Sequence, residues 1–285
     1  MKKNNSPNKL LSVPLAQNVK YFAGLKKVIA KLKSQNKHVH VLDIGTGTGL
    51  LSMMAVHCGA DRVTACEAFT PMIQVAKDCI ASNGMAGKIQ IIEKRSTEIT
   101  VGDGGDMNEK ANVLVTEVFD TELIGEGAIG TFTHALANLL TEDCYVIPDN
   151  AVMYVQVVDS KFGRDWNWLH MDSKYGLKVP GDYLRPAGDS ICDMQLDQFE
   201  GKFTPITEPL VAFEFSFSGR EKLVFERQRA VRAVSMSDGE CHAVLMWWVC
   251  RMDWENEILM SCAPKWANHV PAEQIPVEFN FLFCL

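Results

Sequence analysis

The order of apolar runs predicts an α/β fold: a parallel sheet covered by helices on both faces over residues 18–148, then an antiparallel sheet or β-barrel over 149–285. Three observations predict it. Strand-like and helix-like segments alternate as far as Pro148, runs beyond Pro148 alternate in and out with turn signals between them, and 47% hydrophobic with 22% charged residues supplies a full core for one large domain or two packed ones.

Taken in order, residues 1–17 carry Lys2, Lys3, Asn4, Asn5, Pro7 and Pro14 and read as a flexible arm. From Asn18 to Ser34, Tyr21, Phe22, Leu25, Val28, Ile29 and Leu32 recur at helical spacing, with lysines on the other faces, read as solvated. Expected next are strand Val39 to Ile44, helix Thr48 to Cys58, strand Arg62 to Glu67, helix Pro71 to Ser82, strand Ile89 to Glu93, a polar glycine-rich loop, and strand Asn112 to Glu117. A helix from Ile129 to Leu140 and a short strand from Cys144 to Ile147 close this half. Beyond it, AVMYVQVVDS, LVAFEFSFS, KLVFE, NEILMSCAP and the long run from Arg229 to Trp254, turning at Ser237-Asp238-Gly239, read as β-rich.

A net charge of −7 argues against a nucleic-acid partner, which needs a basic face, and suits a cationic substrate. The nine cysteines are scattered, with no CxxC pair, and His57, His134 and His242 have no ligand-spaced partners, so neither a disulfide framework nor a metal site is expected. No run is apolar and long enough for a signal peptide or a membrane span, and the expected setting is a reducing one, cytoplasmic and nuclear.

The first strand runs into VLDIGTGTG, with Asp43 at its end and Gly45, Gly47 and Gly49 at alternate positions before a helix. Glycines let the chain turn sharply and let a ligand lie against backbone, while the helix start offers free N–H groups. A dinucleotide fingerprint needs a third glycine where Leu50 stands, so the form DxGxGxG, typical of S-adenosylmethionine sites, fits better. Glu67 closes the second strand about twenty residues on, where an acid accepts hydrogen bonds from ribose hydroxyls. Ser96, after the third strand, is the candidate contact beside the adenine.

The second constellation is VTEVFDTELIGEGA, Val115 to Ala128, with Glu117 at a strand's C-terminal end and Glu126 between two glycines on the loop that follows. Two carboxylates facing each other hold a guanidinium by charge-assisted hydrogen bonds and aim one nitrogen at an electrophile. Asp120 and Glu122 add acids that narrow the pocket, attract basic flanks of a peptide, or face water. Two glutamates alone mean little; beside a cofactor turn they become candidate catalytic acids.

The stretches Val41 to Val56, Lys94 to Gly102 and Val115 to Ala128 together resemble the protein arginine methyltransferase family, and its monomethylating branch in particular, over roughly Asn18 to Trp266. Weaker matches are Tyr154 to Ser160, Trp166 to Trp168 and Trp247 to Ala267. The resemblance implies a Rossmann-like S-adenosylmethionine-dependent domain followed by a β-barrel, Glu117 and Glu126 as catalytic acids, and Asp43, Gly45 and Glu67 at the cofactor. It further implies arginine-containing protein substrates such as histones or RNA-processing proteins, and a dimer-like contact. Gln17 stands where the family has a cofactor-holding arginine, the family's His-Trp loop is not recognisable after Trp266, and no second methyltransferase module follows. A chain truncated at both ends, with an incomplete barrel, is therefore expected, and a catalytically silent binding module is the alternative to an active enzyme.

Overall fold

The computed structural model describes residues 12–166, 176, 180, 190–199, 201–267 and 280–284, in two compact units. The first comprises Met1–Ala151, Phe215–Arg227 and Cys250–Met260, the second Val152–Glu214, Gln228–Val249 and Ser261–Leu285.

In the first unit, helix α1 (Ser12–Ser34) precedes strand β1 (His40–Ile44), helix α2 (Leu50–His57), strand β2 (Arg62–Cys66), helix α3 (Thr70–Ser82), strand β3 (Ile89–Ile92) and strand β4 (Ala111–Thr116). Helix α4 (Ala128–His134) continues as a π-helical turn, Ala135–Leu139, into strand β5 (Leu140–Ile147). The five strands lie in the order β3-β2-β1-β4-β5, all parallel where they pair. The core is legible in their residues: every residue of β1 is buried, as continuous apolar runs buried on both faces require. Helix α1 buries Tyr21, Leu25, Val28, Ile29 and Leu32, the stripe its spacing predicts.

That order places the site. The chain leaves β1 toward β2 on one side and later returns to β4 on the other, so the order reverses between β1 and β4, where open α/β sheets form a ligand crevice beyond the strands' carboxyl ends. The glycine turn follows β1 and Glu117 follows β4.

The unit's two later segments finish it. Phe217 stacks on Phe132, centroids 4.4 Å apart, and packs on Phe119 at 5.3 Å. Lys27 meets Asp253 at 2.8 Å, Glu255 at 2.8 Å and Glu257 at 2.6 Å, while Lys31 lies 3.8 Å over the Trp254 ring. Some lysines of α1 thus tie it down rather than merely facing water.

In the second sheet, strands β6 (Asn150–Asp159), β7 (Ser190–Met194), β8 (Thr204–Pro205), β9 (Leu210–Ser216), β10 (Ala243–Arg251), β11 (Leu259–Ser261) and β12 (Asn280–Cys284) form a curled half-barrel in the order β7-β12-β10-β6-β8, with β11 on β10 and β9 on β6. Strands β10 and β12, β12 and β7, and β6 and β8 pair antiparallel. Trp247 and Trp248 are buried, and Trp247 stacks on Tyr154. A short helix α5 (Lys161–Trp166) follows β6.

Three expectations change. Residues 12–17, read as arm, are the first turns of α1; Pro14 is tolerated there because first-turn N–H groups have no helical partner. Strand β5 begins at Leu140 instead of Cys144, its polar Glu142 and Asp143 exposed at the sheet edge. Residues 222–226 and 229–242, read as β-rich, contain no strand; Val231 and Val234 are exposed. Asn167 and Trp168 of the WNW match, and His269, lie outside the described residues.

Candidate functional site

Beyond β1 the chain makes its glycine turn with Gly45, Gly47 and Gly49 all at positive φ. Gly49 is the most constrained: at φ 82° a Cβ would also press within 2.9 Å of Ile80 Cδ1. Asp43 is fully buried and its Oδ2 accepts hydrogen bonds from Thr46 Oγ1 at 2.7 Å and Ser52 Oγ at 2.6 Å. It is therefore the post that ties strand, turn and helix together. Burial raises its carboxyl, opposed by those hydroxyls, and its Oδ1 has no hydrogen-bond partner.

Glu67 follows β2 and is braced by backbone. Its Oε2 accepts Gly47 N–H at 3.1 Å, and its Oε1 accepts Ala68 and Phe69 N–H at 2.9 Å each. A cavity of about 490 Å³, within the roughly 300–1,000 Å³ of small-molecule sites, opens beside it. Its walls include Gly45, Glu67, Phe69, Ser96, Val118 and Glu126. Phe69 is 62% exposed, an apolar face turned to this space and to water.

On the other side of the crevice Glu117 follows β4. Desolvation by the surrounding walls raises its carboxyl above the usual range, although solvent still reaches the residue; a hydrogen bond from Gln17 opposes this, the negative charge of Glu126 adds to it, and the Phe119 N–H opposes it. The two acids are thus close enough to feel each other's charge, and Glu126 lines the cavity itself.

Helix α1 is what presents Gln17. Tyr21, one turn further along the same face, is fully buried and donates to the Thr116 carbonyl at 3.1 Å, fixing α1 over the end of β4. Gln17 Nε2 then donates to Glu117 Oε1 at 3.2 Å. The loop between the acids is pinned by Leu123, fully buried at φ 68°, and by Asp120, whose Oδ1 accepts Gly125 N–H at 3.1 Å.

The cavity therefore gathers Gly45, Glu67, Ser96 and Glu126. Asp43, Gly47 and Gly49 shape the turn without lining the cavity, while Gln17 and Glu117 form a pair at the end of β4. Tyr21, Thr46, Ser52 and Leu123 were not singled out from sequence for the site. Thr46 and Ser52, both inside the stretch Val41 to Val56, sit where a signal could have been read; Tyr21 acts through a contact distant in sequence and Leu123 through buried backbone geometry.

The model of the ribosomal protein L11 methyltransferase (PrmA) family matches residues 25–148, the stretch that carries β1 to β5. Protein arginine N-methyltransferase 7 of Aedes aegypti is 49% identical over 258 residues, 88% of this chain and 38% of that protein. Over that stretch the chain is a relative of the protein arginine N-methyltransferases. The Drosophila melanogaster protein of the same name is 46% identical, again over 88% of this chain and 37% of its own length. The chain thus spans well under half of these curated relatives. Among solved structures, a chain of the Trypanosoma brucei PRMT1 enzyme-prozyme heterotetrameric complex with AdoHcy superposes with a TM-score of 0.66 over 98% of this chain and 84% of its own, at 18% identity, a likeness of fold.

Proposed function

We propose that this chain is an S-adenosylmethionine-dependent protein arginine N-methyltransferase that adds a single methyl group, acting on arginine-containing proteins such as histones or RNA-processing proteins. The observation that carries the reading is the cavity lined by both Glu67 and Glu126, with Glu117 at the end of β4 near enough for the charge of Glu126 to raise its carboxyl. The residues fit the donor: a carboxylate with backbone-fixed orientation for a ribose, Ser96 and Phe69 for a base, and a glycine at the wall where a side chain would intrude.

Bound there, S-adenosylmethionine supplies an electrophilic methyl on a sulfonium. Arginine is a poor nucleophile because its lone pairs are delocalised. Glu117 and Glu126 would accept its N–H groups, orient one terminal nitrogen, and concentrate electron density on it. The raised carboxyl of Glu117 would be a stronger base than an ordinary glutamate, suited to take a proton from the guanidinium nitrogen. The acidic balance of the chain favours cationic peptides. Cytoplasmic and nuclear residence and a dimer-like contact are part of the same reading.

The test is methyl transfer to an Arg-Gly-rich peptide. Glu117→Gln and Glu126→Gln are each expected to lower turnover about a hundredfold or more, as loss of a catalytic electrostatic group does; unchanged turnover in both rules the mechanism out. A second reading, a silent binding module, is favoured by Gln17, an uncharged partner on Glu117. S-adenosylhomocysteine bound tightly by calorimetry, with no methylation of any peptide, would select it.

A further inference from the structure

Asp120 lies between the two acids, and its carboxylate is turned back into its own loop. Oδ1 accepts the Gly125 N–H at 3.1 Å, its carbonyl accepts the Leu123 N–H at 3.0 Å, and Leu123 is fully buried at a left-handed φ. The fit at Gly125 is the second, independent sign: a Cβ built there would overlap the Asp120 carboxylate, and only a residue without one leaves room for it. Gly125 is the residue directly before Glu126, so whatever fixes its peptide fixes where the Glu126 side chain starts. By contrast Glu122, the other acid of the loop, is exposed.

We propose that Asp120 is a positioning residue: as a hydrogen-bond acceptor it staples the loop shut at Gly125 and so holds Glu126 opposite Glu117, independently of any attraction between its charge and a basic substrate. The inference rests on the reading of Glu117 and Glu126 as the guanidinium-holding pair and adds to it the group that sets their spacing.

Two features separate a staple from a charge. Asparagine keeps the accepting oxygen and loses the charge; alanine loses both. Wild type, Asp120→Asn, Asp120→Ala, Gly125→Ala and the Asp120→Ala/Gly125→Ala double variant are assayed with an Arg-Gly-rich peptide, together with hydrogen exchange at the amides of residues 123–127. The expected result is that Asp120→Ala lowers kcat at least tenfold with the peptide KM within about threefold, whereas Asp120→Asn recovers kcat to within about threefold of wild type. Gly125→Ala is expected to match Asp120→Ala, and the double variant to be no worse than either single one, because the clash disappears with the carboxylate. Exchange at Gly125 is expected to speed up in Asp120→Ala and not in Asp120→Asn.

Equal losses in Asp120→Asn and Asp120→Ala, carried by the KM for a basic peptide and shrinking with added salt, overturn the staple in favour of charge. Additive losses in the double variant overturn it too. If wild type methylates no peptide, the function proposed above fails while the exchange measurement still decides the staple: unchanged exchange at Gly125 in Asp120→Ala refutes it.

Discussion

Replacing Glu67 is the sharpest test of how the crevice holds a nucleoside, because its hydrogen bonds can be counted. An ionised carboxylate offers about four lone-pair sites. Ala68 and Phe69 N–H fill both on Oε1, and Gly47 N–H fills one on Oε2, leaving one site that the proposed function gives to a ribose hydroxyl. A single hydrogen bond to a charged group contributes about 1.5–3 kcal/mol, which at 1.4 kcal/mol per decade is roughly 10- to 100-fold in affinity, and the half-buried setting of Glu67 favours the lower end. Glu67→Ala is therefore expected to weaken S-adenosylhomocysteine by about tenfold or somewhat more. Glu67→Gln is expected to do no better, since its NH₂ must face either the Gly47 N–H or the Ala68 and Phe69 pair, donor against donor. Isothermal titration calorimetry on the whole chain reads both. Wild-type affinity, within threefold, in Glu67→Gln would show that the carboxylate is not the ligand acceptor and refute the count.

The remaining predictions concern α1 and the acid pair. Tyr21→Phe removes the buried hydrogen bond to the Thr116 carbonyl and is expected to cost about 1 kcal/mol in a urea titration, with kcat falling because α1 loses its seat over β4. For Glu117, raised chiefly by desolvation, kcat/KM is expected to fall as pH drops through a limb above the ordinary glutamate range of about 4.3, since the protonated acid no longer grips a cation; Gln17→Ala, which removes an opposing hydrogen bond, is expected to move that limb higher. Asp253 is driven upward by burial, but Lys27 and the N–H groups of Ile258 and Glu255 outweigh that and leave it depressed. Its contribution to stability is present above the unfolded pKa and lost as pH falls through the depressed one, so Lys27→Met should begin acid unfolding at a higher pH, read by circular dichroism.

The parts of the fold legible in the sequence are those fixed by burial on two faces or by local backbone chemistry. Strand β1 is buried throughout and reads as one apolar run, and the three glycines stand where φ is positive. Glu67 was legible because a strand end followed by a helix start fixes it beside the turn. Strand β5 was half missed because it pairs only with β4 at the sheet edge, where Glu142 and Asp143 face solvent and break the apolar run. The run from Arg229 misled in the opposite way: a stretch rich in valine forms a strand only if another strand lies alongside, and Val234 is 88% exposed. At the site, both acids could be named from the loop, but Gln17 on Glu117 and Tyr21 on Thr116 join residues about a hundred positions apart, which no local pattern encodes. Gln17 itself was expected at the cofactor through family likeness, and its hydrogen bond is to the acid.

The first unit is discontinuous in sequence, and this affects how such a protein can be inherited and built. Phe217 and the acids around Lys27 are encoded far downstream of α4 and α1, on which they pack. A gene cut after residue 151 would yield an aromatic pair, Phe119 and Phe132, stripped of its third ring, and a lysine facing no counter-ions. During synthesis the nucleotide-fold half must wait for residues as late as Met260 before its last pieces can dock. Exchange of modules by recombination at the apparent boundary is accordingly disfavoured, and the two halves are expected to travel together.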